Sequence, residues 1–219
     1  RFNIILKSRQ LGISTVTAAY ALWLAIFYSN KNILILATKR DIAMNLIDKV
    51  KTMLQNLPTY LLLKGIKSET KQQICFENGS IIKAIGTSDD SGRSEALSLL
   101  IVDEASFIKN FDKLWTGLQP CLSTGGNAII LSTPNGVGNG FHKIYVDAES
   151  GLNNFHPIRL PWDCHPERDK DWFNQQTKDL SKQQIAQELE CNFEASGENF
   201  LSSEDILYLS TQILVPFYK

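Results

Sequence analysis

Little in this 219-residue chain points to disulfide or metal chemistry, since it holds only four cysteines and three histidines. Cys75, Cys121, Cys164 and Cys191 lie far apart with no C-x-x-C pair. That spacing excludes a disulfide framework and fits reduced thiols in a cytoplasm. Cys164-His165 is the one Cys/His adjacency and reads as a loop pair with no metal. Charge of one sign is also missing: 22 Lys and Arg stand against 23 Asp and Glu, for a net charge of −1. A nucleic-acid binder with a chain-wide basic footprint is thereby excluded, and any DNA contact must be local or supplied by other chains. The longest apolar stretch, Val16 to Tyr28, is interrupted by Thr17 and falls short of the roughly 20 residues that cross a bilayer. It reads instead as a helix buried on most faces. No signal peptide, internal repeat or low-complexity tract is found. The chain opens at Arg1 on the edge of a strand without an initiator Met, which reads as an excised or trimmed fragment.

What remains is an ordinary globular composition, 43% hydrophobic and 21% charged, with length for one domain and a small appendage. Its organising stretch is the first fifteen residues. Phe2 to Leu6 is an apolar run of strand length, and Lys7-Ser8-Arg9-Gln10-Leu11-Gly12-Ile13-Ser14-Thr15 turns it into a helix beginning near Ile13. A strand, a Gly-bearing turn and a helix N-terminus gather backbone N–H groups and the positive end of the helix dipole at one spot, where a phosphate can sit. The pattern G-x-x-x-x-G-K-[ST] fails twice here. Lys7 stands where the first Gly should be, and Ile13 stands where the Lys should be. A Lys at the strand end faces the same pocket as a Lys on the first helical turn, so the charge can have moved without being lost. The plain alternative is an ordinary strand-to-helix turn with a surface lysine.

Further along, Asn32 to Ala37 reads as a strand covered on both faces. Thr38 and Asp41 offer N-cap chemistry to a helix that Pro58 stops. Strands alternating with helices predict a parallel sheet with right-handed crossovers. Gln72 to Phe76 and Ser80 to Ile85 flank Asn78-Gly79, a hairpin signal that places an antiparallel edge on that sheet. The small, polar stretch from Gly86 to Ala96 is a surface loop carrying one cation, Arg93.

Leu97 to Val102 then runs into Asp103 and Glu104, putting two carboxylates at the C-terminal end of a buried parallel strand, where open α/β sheets bind ligands. Successive side chains point different ways, so the two acids can do different jobs. Asp103 can hold Mg²⁺ through water, and Glu104 can orient and deprotonate a water that attacks a γ-phosphate. The bland reading is a strand end with two solvated acids. Asn127 to Leu131 is another buried strand, running into Ser132-Thr133-Pro134. If the three strands are parallel neighbours, their polar ends share one edge of the sheet, and Ser132 and Thr133 can sense the phosphate that Gly12 cradles. Gly140 to Ala148 reads as a helix, Phe155 to Leu160 as a strand, and Lys170 to Glu190 as two amphipathic helices forming a lid or linker.

Taken together, Ser8-Arg9-Gln10-Leu11-Gly12, Ile101-Val102-Asp103-Glu104-Ala105, Ser132-Thr133-Pro134-Asn135-Gly136 and Glu194-Ala195-Ser196-Gly197 resemble the large terminase subunits of tailed bacteriophages. These are the ATPase motors that package DNA into proheads, and the match covers most of the chain. The resemblance implies a P-loop, RecA-like α/β fold of the additional-strand, catalytic-glutamate type. In it, a mostly parallel sheet carries helices on both faces, an antiparallel hairpin edge and a small C-terminal helical lid. It divides the chain into an ATPase core at 1–160, a lid or linker at 161–200 and a tail at 201–219.

Family members with a deviant motif carry the phosphate-binding lysine at its start, which matches Lys7. By the same resemblance residues Lys7 to Thr15 bind nucleotide phosphates, Ser14 and Asp103 serve Mg²⁺, and Glu104 is the catalytic base. Arg9 looks like an arginine finger within the subunit and Arg93 like one offered to a neighbour. Such a finger contributes roughly 10³ to 10⁵ in rate where it operates. Ser132, Thr133 and Pro134 resemble the coupling motif that links hydrolysis to lid movement.

The implied cofactors are ATP and Mg²⁺. The implied partners are double-stranded DNA, a portal protein, a small terminase subunit and further copies of the chain in a ring, with no membrane, in the host cytoplasm. Two departures matter. The family's nuclease domain, with its metal-binding acids, has no room after the exit motif, so no DNA cleavage is expected. The residues that usually contact adenine are absent before Arg1. A helicase-like translocase is the second reading, since Asp103-Glu104-Ala105-Ser106 and Ser132-Thr133-Pro134 also resemble helicase motifs, but it needs a second RecA-like domain. A non-hydrolysing nucleotide-binding or assembly module is the third, motivated by Ile13.

Overall fold

The computed structural model describes residues 2–61, 65–87 and 95–196, together with Tyr208. In chain order its elements are β1 (Phe2–Lys7), α1 (Ile13–Phe27), β2 (Asn32–Ala37), α2 (Arg40–Gln55), β3 (Ile66–Glu69), β4 (Gln73–Phe76), β5 (Ile81–Gly86) and β6 (Leu99–Asp103). They continue with α3 (Phe111–Leu118), β7 (Asn127–Ser132), α4 (Gly140–Glu149), β8 (Phe155–Leu160), α5 (Lys170–Gln176), α6 (Lys182–Glu188) and α7 (Phe193–Ser196). All eight strands join one sheet in the order β3-β4-β5-β2-β6-β7-β1-β8. From β5 through β8 every neighbouring pair is parallel, while β4 runs antiparallel to both β5 and β3.

The period-two alternation of the apolar strands builds two cores. Ile5, Ile33, Ile35, Leu99, Ile101 and Leu131 face α1 and α2, packing with Ala18, Leu22, Ala25, Leu46, Ile47 and Val50. Their chain neighbours Ile4, Leu6, Leu34, Leu36, Leu100, Val102 and Ile130 face the other way, onto Leu114 and Leu118 of α3 and Phe141 and Tyr145 of α4. This is the α/β layering with helices on both faces that the sequence predicts.

Three local features differ from expectation. The residue capping α2 is Lys39, with no side-chain cap from Thr38 or Asp41; Asp41 instead lies in the first turn, where it complements the helix dipole. The connection from β6 to β7 contains α3, which the sequence reading did not identify. The antiparallel edge has one more strand than the hairpin alone. Gly79 sits in the hairpin turn at φ +82, where a Cβ would collide with the Asn30 side chain. Asn78 Nδ2 donates to the Ala25 carbonyl at 2.8 Å, tying this turn to the end of α1. Beyond the hairpin lies β3, with all four residues exposed and its register shifted between Ile66 and Ser68.

At the opposite edge, the chain after α6 covers β8. Trp162 N–H donates to the Leu189 carbonyl at 3.0 Å, and Arg159 Nη2 donates to the Glu190 carbonyl at 2.7 Å. Cys191 is buried there, its thiol donating to the Leu160 carbonyl at 3.3 Å, and burial pushes its pKa up to about 12. Cys164 is exposed. The thiolate is the reactive form, so brief alkylation of the folded protein at about pH 8 should modify Cys164 and spare Cys191 until denaturant is added. Peptide mass spectrometry after iodoacetamide treatment reads the outcome.

Candidate phosphate-binding site

Because β6, β7 and β1 are adjacent and parallel, their C-terminal ends meet on one edge of the sheet, as the three polar turns require. Parity of the pleat then decides which groups meet. Ile5 and Ile101 face the α1 layer, so Lys7 and Asp103, two residues further on, emerge on that same side, beside the turn that enters α1. Lys7 is only 5% exposed, and its Nζ lies 3.0 Å from Glu104 Oε1. A buried ammonium needs such a partner.

Asp103 is also enclosed. Desolvation by burial, and next the neighbouring Glu104, push its carboxyl pKa above the ordinary value, against opposing pulls from Lys7, a hydrogen bond with the Ser14 side chain and the Glu104 N–H. That last bond is 3.0 Å long. Glu104 itself sits at φ 54, ψ 42, the left-handed region that a non-glycine residue occupies at a cost of roughly 1–3 kcal/mol. This kink breaks the strand alternation and turns the Glu104 carboxylate back to Lys7.

The turn itself leaves its backbone amides free. Gly12 takes φ +76, and a Cβ there would meet nothing within 4 Å, so the glycine is required by conformation and not by space. The N–H groups of Gln10, Leu11, Gly12, Ile13 and Ser14 have no hydrogen-bond partner among the described residues; the first amides of α1 to be used are those of Thr15 and Val16, both donating to the Gly12 carbonyl. Ser8 is fully buried, and its hydroxyl is unpaired. Unpaired amides in succession at a helix N-terminus, a buried hydroxyl and a buried lysine are the groups from which a phosphate cradle can be made. Not every residue of the turn faces inward. Ile13 packs on the α1 core, and Thr15 Oγ1 accepts from Lys49 Nζ of α2 at 2.9 Å.

As to metal, no group of three or more His, Cys, Asp or Glu side chains among the described residues could enclose an ion. Ser14 and Asp103 nevertheless offer the hydroxyl and carboxylate oxygens that suit Mg²⁺ when phosphates and water complete the shell.

Arg9 lies on the outer side of the turn. Its guanidinium is 67% exposed and pairs with Glu188 Oε2 of α6 at 3.1 Å, while its N–H donates to the Glu188 carbonyl at 2.7 Å. Arg93 lies outside the described residues, as do Gly197 of the exit motif and most of the tail. Ser132 is placed where the sequence puts it along the strand, but its hydroxyl faces the α3 and α4 layer. The Ser106 N–H donates to Ser132 Oγ at 3.1 Å, the two hydroxyls share a 2.7 Å bond, and Ser106 Oγ donates to the Thr133 carbonyl at 2.7 Å. Each serine has one hydroxyl proton, so Ser132 donates to Ser106. Instead of facing the cradle, this buried link ties the end of β7 to the turn that carries Glu104. Sequence reasoning missed Ser106, Glu188, Lys49 and Arg168. Ser106, two residues past Glu104, had the only local signal, a small polar residue in the acidic turn.

The described arrangement defines a class: an α/β protein of RecA-like fold with a Gly-bearing turn and unpaired amides after its first strand and acids after a strand two places away. The chain belongs to the family described as terminase large subunit, T4likevirus-type, N-terminal, whose model matches residues 4–207. The large terminase ATPase domain of Thermus phage P74-26, in a mutant form, superposes with a TM-score of 0.73 at 21% identity over 88% of each chain. The large terminase of a thermophilic bacteriophage in complex with ADP gives a TM-score of 0.70 at 15% identity, covering 88% of this chain and 48% of that one. For the large terminase of bacteriophage HK97 the values are 0.62 and 16%, over 96% of this chain and 42% of that one. The chain thus spans about half the length of the last two, and at these identities the likeness establishes the fold.

A Ser132→Ala substitution would strand the buried Ser106 N–H. A loss of about 1–3 kcal/mol in unfolding free energy is expected, read as a lower midpoint in urea titration followed by circular dichroism.

Proposed function

We propose that this chain hydrolyses ATP as the motor domain of a viral large terminase, driving double-stranded DNA into a prohead. The observation that carries this reading is the contact between Lys7 and Glu104 at the mouth of the cradle. It supplies a cation for the phosphates and a carboxylate for the water from strands two places apart, while the Ser14 side chain at the start of α1 favours the charged form of Asp103. The amides of Gln10 to Ser14 and the Lys7 ammonium hold the β- and γ-phosphates. Ser14 and Asp103 would hold Mg²⁺, whose charge would offset that of the phosphates. Glu104 accepts the proton of the attacking water. In its pair with Lys7 that carboxylate is engaged; as Lys7 turns to the γ-phosphate, Glu104 is freed to act as base. Arg9, or Arg93 from a neighbouring copy, stabilises the charge that develops on the transferred group.

Coupling follows from the buried serines. Glu104 leads through Ser106 to Ser132 and Thr133. Asn135 Nδ2 then donates to the Ser106 carbonyl at 3.3 Å, and the Gly136 N–H donates to Ser196 Oγ of α7 at 3.0 Å. A shift of the acidic turn is thereby passed along hydrogen bonds to the segment that leaves the core, with residues 161–200 acting as the lid and 1–160 as the ATPase core. A portal protein, a small terminase subunit and a ring of further copies are the partners this role requires.

Two substitutions test the assignment in an ATP turnover assay. Lys7→Ala should abolish measurable hydrolysis and weaken nucleotide binding, and unchanged turnover would remove Lys7 from the site. Glu104→Gln should retain ATP binding while losing roughly 10² to 10⁴ in rate, the usual worth of a general base. Retained turnover would assign the base elsewhere.

A further inference from the structure

Between β8 and α5, a half-buried side chain outside the cradle reaches its backbone. Arg168 Nη1 donates to the Arg9 carbonyl at 3.2 Å, and Nη2 donates to the Gln10 carbonyl at 2.9 Å. The residues are 158 or more positions apart in sequence. The guanidinium is held in place from behind. It lies 4.4 Å from the Trp172 ring, Trp172 stacks on Trp162 with centroids 6.1 Å apart, and Trp162 stacks on Phe173 at 4.5 Å. Next to it Asp169 caps α5 by accepting the Trp172 N–H at 2.7 Å, which fixes the start of that helix. Burial also lowers the Arg168 pKa below its ordinary value.

In a planar trans peptide the C=O of one residue and the N–H of the next point in opposite directions. In an extended chain, successive carbonyls alternate, so one guanidinium cannot receive two in a row. Here it does, because Gln10 takes φ +58, the left-handed region unusual for a residue with a side chain. Two carbonyls drawn outward to Arg168 therefore turn the N–H groups of Gln10 and Leu11 the other way, side by side, as in an anion-binding nest. Those two N–H groups have no partner among the described residues. The charge on Arg168 also polarises both peptides and makes their N–H groups better donors.

We infer that Arg168 is a positioning residue for nucleotide binding, a cationic brace that holds the Arg9 and Gln10 peptides so that their N–H groups face the terminal phosphates. The inference rests on the proposed phosphate cradle and assigns it a support that reaches in from the lid segment. Because the brace acts on backbone that meets phosphate alone, it should matter equally for ADP and for inorganic pyrophosphate.

Isothermal titration calorimetry with each of these two probes, in the presence of Mg²⁺, tests it on the full chain and on Arg168→Ala. If the wild-type chain binds neither probe, the cradle itself is wrong and the function proposed above falls with it. If the wild-type chain binds, Arg168→Ala should weaken both probes by the same factor, about tenfold or more, as expected for losing two charge-assisted hydrogen bonds. Its ligand-free melting temperature should stay near wild type, and dilute guanidinium chloride should restore part of the affinity. Unchanged affinity in Arg168→Ala, a loss confined to ADP, or a loss that tracks ligand-free stability and resists guanidinium rescue would each overturn the assignment. Should Arg168→Ala fail to fold, Arg168→Lys and Arg168→Gln decide by the same comparison. The first, able to serve one carbonyl at a time, should bind between wild type and the second; equal affinity in both would refute the brace.

Discussion

The ion pair between Lys7 and Glu104 is the interaction on which the site depends. Two charges on different strands can meet in a mostly buried place only if both strands end at the same height and both side chains leave on the same side of the sheet. The parallel run β6-β7-β1 meets the first condition. The second is met by the pleat for Lys7 and by the left-handed kink at Glu104 for its partner. Removing the Glu104 charge would leave the Lys7 ammonium enclosed without compensation, an arrangement that folded proteins tolerate poorly. Asp103 is held in the same enclosure, where burial works against its ionisation and Lys7, Ser14 and a backbone amide work for it. Lysine at the strand end, in place of lysine on the helix, is thus compatible with the rest of the constellation: the cation stands close to both acids.

The sheet also explains a division of labour between its faces. On the α1 side lie the turn with its unpaired amides, Lys7 and Asp103. On the α3 and α4 side lie Ser106 and Ser132, bonded to each other in the interior. One turn, residues 103 to 106, supplies both sides, because the kink at Glu104 sends consecutive residues in unlike directions. The turn at 103 to 106 is thus bonded on one side to Lys7 and on the other to Ser132 and Thr133. Hydrogen bonds from Asn135 to Ser106 and from Gly136 to Ser196 extend that path towards the end of the described chain.

Much of this was legible in the residues. The apolar runs at Asn32 to Ala37 and Phe155 to Leu160 coincide with strands, the Asn78-Gly79 hairpin lies where its turn residues put it, and Asp103-Glu104 stands at the end of a fully buried strand. What escaped has physical reasons. Strand β3 is exposed at all four residues, so it carries no alternation of apolar and polar side chains to betray it. Ser132 was placed along its strand but not on its face, because the parity that separates it from Leu131 matters only once the layers are known. Glu188 and Arg168 touch the turn at Arg9 across 179 and 159 residues of sequence. No local pattern marks a contact between a loop arginine and two main-chain carbonyls.

The far edge of the sheet has a consequence of its own. An open edge strand offers unpaired amide and carbonyl groups to any other extended chain, and long flat edges invite fibrils. Strand β3 is short, bears Lys67 and Glu69, and has its register broken between Ile66 and Ser68. The opposite edge, along β8, is capped by the chain around Leu189 and Glu190. Neither edge, as described, is the long flat strand that invites continuous growth of the sheet from molecule to molecule. Copies that crowd together are thereby steered towards contact through side-chain surfaces, which can separate and re-form, and away from a shared backbone ladder, which would lock them.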